Sequence, residues 1–267
     1  PTLPIRPYGV AMSASNDGVA FSTSALPGAG LAANVTANAA AAEVGGNTVL
    51  YTSQDNLAAA LAPVLRLLPR DTLAQMEGKL GISLQRDVLS WMNGEFAITV
   101  NDSASPLVAQ AVRGAMSGAG GNTSASPAAG PALPGSVALA WHVDNPDAVR
   151  RALDRIAAAA MKATGSSQPV VSRVSAPDGT PLYTIMGMPS LGYVFHGQWL
   201  IASSNLTADA ATPRAPLSSD AGYTTALGHV TGANAPTSVA YVDLTRLLGI
   251  ADKWMAFASR SGNGAIA

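Results

Sequence analysis

Apolar and polar positions alternate from Tyr8 to Thr23, interrupted at Asn16-Asp17-Gly18. An Asn/Asp-Gly pair supplies the positive backbone angles of a tight turn, so the stretch predicts a β-hairpin. Ala25 to Ala42 is rich in Ala, Gly and Pro and reads either as a helix from about Gly30 to Glu43 or as a loop over the core. Val49 to Thr52 predicts a short strand. From Asp55 to Leu68 the residues Leu57, Leu61, Val64, Leu65 and Leu68 fall at helical spacing, and Pro63 kinks that helix or delays its start.

The densest pattern runs from Leu68 to Val100. One short helix is expected after Asp71, with Leu73, Met76 and Leu80 inward and Gly81 as its stop. A second follows Ser83 with Val88, Leu89 and Met92 on one side, and a Met92-Asn93-Gly94 turn leads into a strand ending near Val100. Gly, Ser, Ala and Pro then dominate from Asp102 to Gly135, around one helical segment at Pro106 to Met116.

Beyond it, Val137 to Val143 predicts a strand, and Asp144-Asn145-Pro146-Asp147 opens a helix to about Ala163 with Val149, Leu153, Ile156 and Ala160 inward. Strands follow at Val170 to Ser175, Leu182 to Met186, Gly192 to Phe195 and Trp199 to Ser203, turned at Asp178-Gly179 and His196-Gly197. A helix near Ala221 to Val230, a strand at Ser238 to Val242 and a helix from Leu244 end the chain.

The expected class is α+β, a mainly antiparallel sheet with helices on one face and a β-α-β-β-β-β unit in the second half. Thr48-Val49-Leu50-Tyr51 with Asp55 and its helix is echoed by Ser238-Val239-Ala240-Tyr241 with Asp243 and its helix, which is compatible with an internal duplication. The expected division is 1–46 (hairpin and Ala/Gly-rich segment, part of the same domain or the remnant of a preceding one), 47–101, a loop insertion at 102–135, and 136–267 packing with 47–101 as one domain.

Composition narrows the function classes. Apolar residues make up 48% of the 267, but aromatics only 5%, so Ala, Val and Leu must fill the core. Charged residues are 12%, about half the usual quarter. A net charge of −1 offers no field for nucleic acid, and none is expected as a partner. Cysteine is absent, which removes disulfides, thiolate nucleophiles and Cys-based metal sites. The Lys-poor surface rich in Ser, Thr, Asn, Ala and Gly suggests an extracytoplasmic place, at the cell surface or in the periplasm. With no run of 18 apolar residues, any anchor is expected upstream of Pro1. Sequons at Asn34, Asn101, Asn122 and Asn205 read as coincidence in so Asn/Ser/Thr-rich a chain.

No catalytic, cofactor-binding or metal-ligating set emerges. His142, His196 and His229 lack a second ligand at helical spacing, and His196 is expected in a hairpin turn. Asp144 and Asp147 read as helix-start residues, and Arg150, Arg151 and Arg155 as the wet face of the following helix. Glu95 reads as an exposed strand-end residue, with acid/base chemistry as the rival reading. Trp91, Trp141, Trp199 and Trp254 read as core or rim anchors, and Met161, Met186 and Met188 as packing.

Four segments carry a resemblance: Leu73 to Val100, Val137 to Ile156, Gly197 to Asn205 and Ser238 to Leu248. In this order they resemble domain-of-unknown-function family 3352, whose members look like bacterial membrane-anchored proteins with an extracytoplasmic α+β region. The insertion at 102–135 departs from that pattern. The resemblance implies an upstream anchor and brings no catalytic residues. The expected function is a non-catalytic, envelope- or membrane-associated domain acting in binding or assembly, with a protein partner. A structural subunit of a surface layer, filament or membrane complex is the first alternative, an apolar-ligand carrier the second, and a hydrolase using Glu95, His142 or His196 the last.

Overall fold

The computed structural model of the protein describes residues 8–14, 18–25, 38–56, 58, 69–105, 133–165, 170–176, 179–185, 188–206, 215–230 and 238–262. Its centre is one ten-stranded sheet in which every described pair is antiparallel. The strands are β1 (Tyr8–Ala14), β2 (Val19–Ala25), β3 (Thr48–Asp55), β4 (Glu95–Ser105), β5 (Leu133–His142), β6 (Val171–Ser175), β7 (Pro181–Ile185), β8 (Met188–His196), β9 (Trp199–Ser203) and β10 (Ser238–Val242). Their order across the sheet is β1-β2-β10-β3-β4-β5-β9-β8-β7-β6.

Among the described residues five helices accompany the sheet: α1 (Ala40–Glu43), α2 (Arg70–Leu80), α3 (Pro146–Thr164), α4 (Ala221–Val230) and α5 (Leu244–Gly262). The expected α+β class holds, and β5-α3-β6-β7-β8-β9 is the β-α-β-β-β-β unit. Helices lie on both faces of the sheet, however, rather than on one. The cross-strand row Ala97, Ala140, Ile201 and Val194 is packed by α1, by α4 through Tyr223 and Ala226, and by Leu217. Residues one step along each strand point the other way. There Phe96, Trp141, Leu200 and Phe195 form the opposite row, and Val149 and Leu153 of α3 pack against its Trp141, Leu200 and Phe195.

Local chemistry accounts for the element ends. Asn145 caps α3, its Oδ1 accepting from the Ala148 N–H at 3.0 Å, while Pro146 fills the first turn where no N–H is required. Gly165 ends α3 and Gly81 ends α2 in left-handed conformations that favour glycine. Helix α2 starts at Arg70, one residue before the expected cap Asp71.

Other boundaries differ more. After Ser83 there is a five-residue π-helical turn, Leu84–Val88, and then a single 3-10 turn, Leu89–Trp91, in place of a regular helix. β4 continues to Ser105 and β5 starts at Leu133, so both run into the expected 102–135 loop, with a register shift between Asn101 and Ala104. His196 closes β8, and Gly197 (φ 56°) takes the turn instead. The β1–β2 hairpin pairs with β10 within the same sheet. Apart from residue 58, the helix expected over 57–68 lies outside the described residues, as do the segment at 106–116 and residues 26–37 of the Ala/Gly-rich stretch.

The two echoed segments are sheet neighbours, with Tyr51 directly opposite Tyr241. Both rings enter the core beneath α4, and Tyr223 meets each of them edge-on, at 5.8 and 5.2 Å. The shared aromatic therefore reflects a shared position on the sheet.

Candidate functional site

Among the described residues, polar side chains converge at three places. The first lies under α1. Glu95 is 5% exposed, not the exposed strand-end residue expected from sequence. Its carboxylate accepts the Ala39 N–H at 3.0 Å and the Ala40 N–H at 3.1 Å, where the helix begins and its N–H groups have no intrahelical acceptor. Beside it Asn38, with φ 45°, donates from Nδ2 to the Tyr223 hydroxyl. Its Oδ1 accepts from the hydroxyls of Tyr51 and Ser53. Burial, more than any neighbour, pushes the hydroxyls of Tyr51 and Tyr223 well above the ordinary tyrosine value. Both phenols stay protonated at neutral pH and serve as hydrogen-bond partners rather than bases.

The second lies between the π-helical turn and α3. The Asp87 side chain is shut off from solvent by its own partners, Arg86 (3.1 Å) and Arg155 (2.6 Å), and its Oδ2 accepts the Ser83 N–H at 2.8 Å. Trp91 donates from Nε1 to the Asp87 carbonyl and meets Trp141 edge-on at 5.5 Å. A groove of about 180 Å³ runs alongside, between Trp91 and the first turns of α3. Arg151 and Arg155 are exposed, as the wet-face reading expects, but Arg155 also holds Asp87, and the partly buried Arg150 lies 5.1 Å over the Phe195 ring and pairs with Asp147.

Hydrogen bonding from Arg86, then from the Ser83 N–H, holds the Asp87 carboxyl well below the usual carboxylate range, with Arg155 adding to the effect. A depressed folded value means that this stabilisation is complete above the unfolded value of about 4 and is lost as pH falls through the folded value. The urea midpoint of the wild type should therefore fall progressively below about pH 4. Asp87→Asn should flatten that limb and lower the midpoint at pH 7. Because Arg86 is 73% exposed, part of the difference should vanish in high salt. Equal acid limbs in the two proteins would refute this role for Asp87.

The third is a knot around Arg246 beside a cleft of about 360 Å³. The guanidinium donates to the carbonyls of Gly46 and Thr48, and pairs with Asp220 at 3.0 Å and Asp243 at 3.4 Å. Asp243 also accepts the Arg246 N–H, and Asp220 accepts the Tyr223 N–H, each near the start of a helix. One arginine thus ties the ends of β3 and β10 to the starts of α4 and α5.

Of the residues expected to be candidates, Glu95, His142 and His196 come to one end of neighbouring strands. His142 and His196 both pair across the sheet with Trp199, and the His142 ring stands edge-on to that indole at 5.3 Å. The Glu95 carboxylate holds α1, and no group of three metal-ligating side chains forms among the described residues. Asp144 is exposed, and the capping expected of Asp144 and Asp147 is done by Asn145. Asn101 is buried on β4 with its Oδ1 accepting from Thr48, which closes that sequon to modification. Sequence reading missed Asn38, Tyr51, Tyr223, Asp87 and Arg246. A signal existed for Asp220, which stands one residue before its helix as capping residues do.

Fold and polar clusters together define an α+β domain on one antiparallel sheet, with its buried acids tied into the structure. Over residues 3–129 the chain matches the family model described as a protein of unknown function, DUF3352, so the resemblance read from sequence is borne out on that stretch. The match takes in the N-terminal hairpin and stops short of the three later segments named above. No curated protein and no solved structure matches the chain.

Proposed function

We propose that the protein is a non-catalytic domain of the cell envelope, outside the cytoplasm, that works by binding or assembly with a protein partner. The observation that carries this reading is the fate of the buried acids. Asp87, Glu95 and Asp243, the three buried carboxylates among the described residues, each accept backbone N–H groups, and two of them also pair with arginine. A general acid or base needs a carboxyl facing a substrate-sized space, with its proton free to move. The carrier alternative has less support, because Tyr51, Tyr223 and Tyr241 fill the interior beneath α4 with side chains.

Two measurements test the proposal. Fractionation of the source cells should place the native protein in the envelope. The purified chain should show no turnover of ester, peptide, glycoside or phosphoester substrates. Turnover that disappears in His142→Gln or His196→Gln, with folding intact, would overturn the non-catalytic reading. Recovery from the cytosol would overturn the location.

A further inference from the structure

The groove beside Asp87 is built differently from the cleft beside Arg246. Around Arg246 one guanidinium is met by two carboxylates and two carbonyl oxygens. Around Asp87 two guanidiniums share one carboxylate. Arg86 gives it Nε and Nη2, and Arg155 gives Nη2, so N–H donors remain on both. The two arginine side chains are 73% and 49% exposed, whereas the carboxylate is fully shielded. The groove therefore meets the guanidiniums and not the acid that holds them in place.

The rest of the lining sets what fits between. Asn145, Ala148, Ala152 and Arg155 fall on one stripe of α3, at steps of three, four and three residues, and form one wall. Ser90 and Trp91 line the other side. The hydrogen bond to Asp87 and the contact with Trp141 fix the Trp91 ring, so this wall stands before anything binds. Val149 and Ala152 are buried at the base. Asn145 to Arg155 spans about 15 Å of helix, the length of about four residues of extended chain.

We propose that this groove takes a short extended segment of a protein partner, with an acidic side chain on Arg86 and Arg155 and an apolar side chain against Trp91 and Val149. This deepens the binding reading above and rests on it. Charge selects the acid and its place. Among the described residues the rim carries one carboxylate, Asp144, at the end of the stripe away from Arg155. A segment acidic at the arginine end alone meets no like charge. Size selects the peptide. The groove holds about 180 Å³, below the roughly 300–1,000 Å³ of small-molecule sites. That space suits one anchoring side chain of a larger partner. A bare anion would leave the apolar base uncovered.

A random heptapeptide library displayed on phage and selected on the full chain should enrich Asp or Glu within about three positions of a large apolar residue. Synthetic peptides of the enriched sequences are then titrated by fluorescence anisotropy. Ser90 is the decisive position, because it is exposed on the rim and its hydroxyl bonds the Arg86 carbonyl rather than Asp87. Ser90→Glu should weaken binding about tenfold and Ser90→Lys should strengthen it a few-fold, with circular dichroism and thermal midpoint unchanged. Ala148→Leu, which fills the groove from α3, should abolish binding.

Enriched peptides that lack an acid overturn the proposal, as do peptides indifferent to both Ser90 substitutions. A library from which nothing is enriched overturns it too. Binding to phosphatidylglycerol vesicles that Ser90→Glu abolishes, without an enriched peptide, assigns the groove to a membrane and likewise overturns it. A peptide indifferent to the groove variants leaves the partner reading standing while the groove fails, and location and turnover are measured separately.

Discussion

Replacing Glu95 with alanine should cost about 3 kcal/mol of folding free energy, a large share of a typical domain's stability. The substitution strands the N–H groups of Ala39 and Ala40, which have only the carboxylate as side-chain acceptor, and opens a void under α1. Hydrogen bonds to a charged group contribute about 1.5–3 kcal/mol each, and a buried donor left without an acceptor adds its desolvation cost. Glu95→Gln keeps one acceptor oxygen but turns an amide N–H toward the other donor, so about half the loss should remain. Denaturant unfolding with the slope held constant measures both. A loss below about 0.5 kcal/mol for Glu95→Ala, the range of ordinary surface substitutions, would show that α1 does not depend on this carboxylate.

Gly192→Ala should be of similar size for a different reason. Gly192 lies in β8 facing Tyr183 and Thr184 of β7, and a Cβ there would overlap the Tyr183 carbonyl oxygen and stand 3.0 Å from the Leu206 side chain and the Thr184 Cα. Backbone atoms cannot rotate aside as a side chain does, so the strands must part, at about 3 kcal/mol. The control is Gly228→Ala in α4, where the added methyl meets nothing within 4 Å. Removing a glycine from a helix interior should stabilise by about 0.5–1 kcal/mol. Opposite signs for the two substitutions would confirm that close strand approach, rather than glycine content, is what matters. Equal effects would refute it.

Period and turn chemistry made most of the fold legible. β10, α4 and the start of α5 fall on the expected residues, as do the hairpin strands around Asn16-Asp17-Gly18 and the Asn145-Pro146 helix start. Those elements are set by neighbours in sequence. Glu95 was misread because a polar residue alternating with Phe96 and Ile98 looks solvent-facing. β4 is a central strand of a sheet covered on both faces, so Glu95, Thr99 and Asn101 turn toward a second core and are hydrogen-bonded there. Gly94 looked like turn punctuation, yet a Cβ there would strike the His142 carbonyl oxygen, a contact between residues far apart in sequence. The π-helical turn at Leu84–Val88 follows the same logic. Asp87 leaves the ordinary helical register to reach the Ser83 N–H and Arg155, and no local periodicity announces that partner.

The place of β10 has a consequence for how the chain reaches its final form. β2 and β3 follow one another in sequence but are separated in the sheet by residues 238–242. During synthesis the N-terminal hairpin can close on itself early, yet its only described neighbour in the sheet, β10, leaves the ribosome after the seven strands β3 to β9. Until then β2 and β3 each present a bare row of N–H and C=O groups, the kind of edge on which unfinished chains cross-pair. The interval is long in folding terms, since the remaining strands are made at about 5–20 residues per second while hairpins form in microseconds. The stretch shared with the family, residues 3–129, supplies β1 to β4 but not the strand that joins them. In this protein, then, the boundary of the family match is not a boundary of folding.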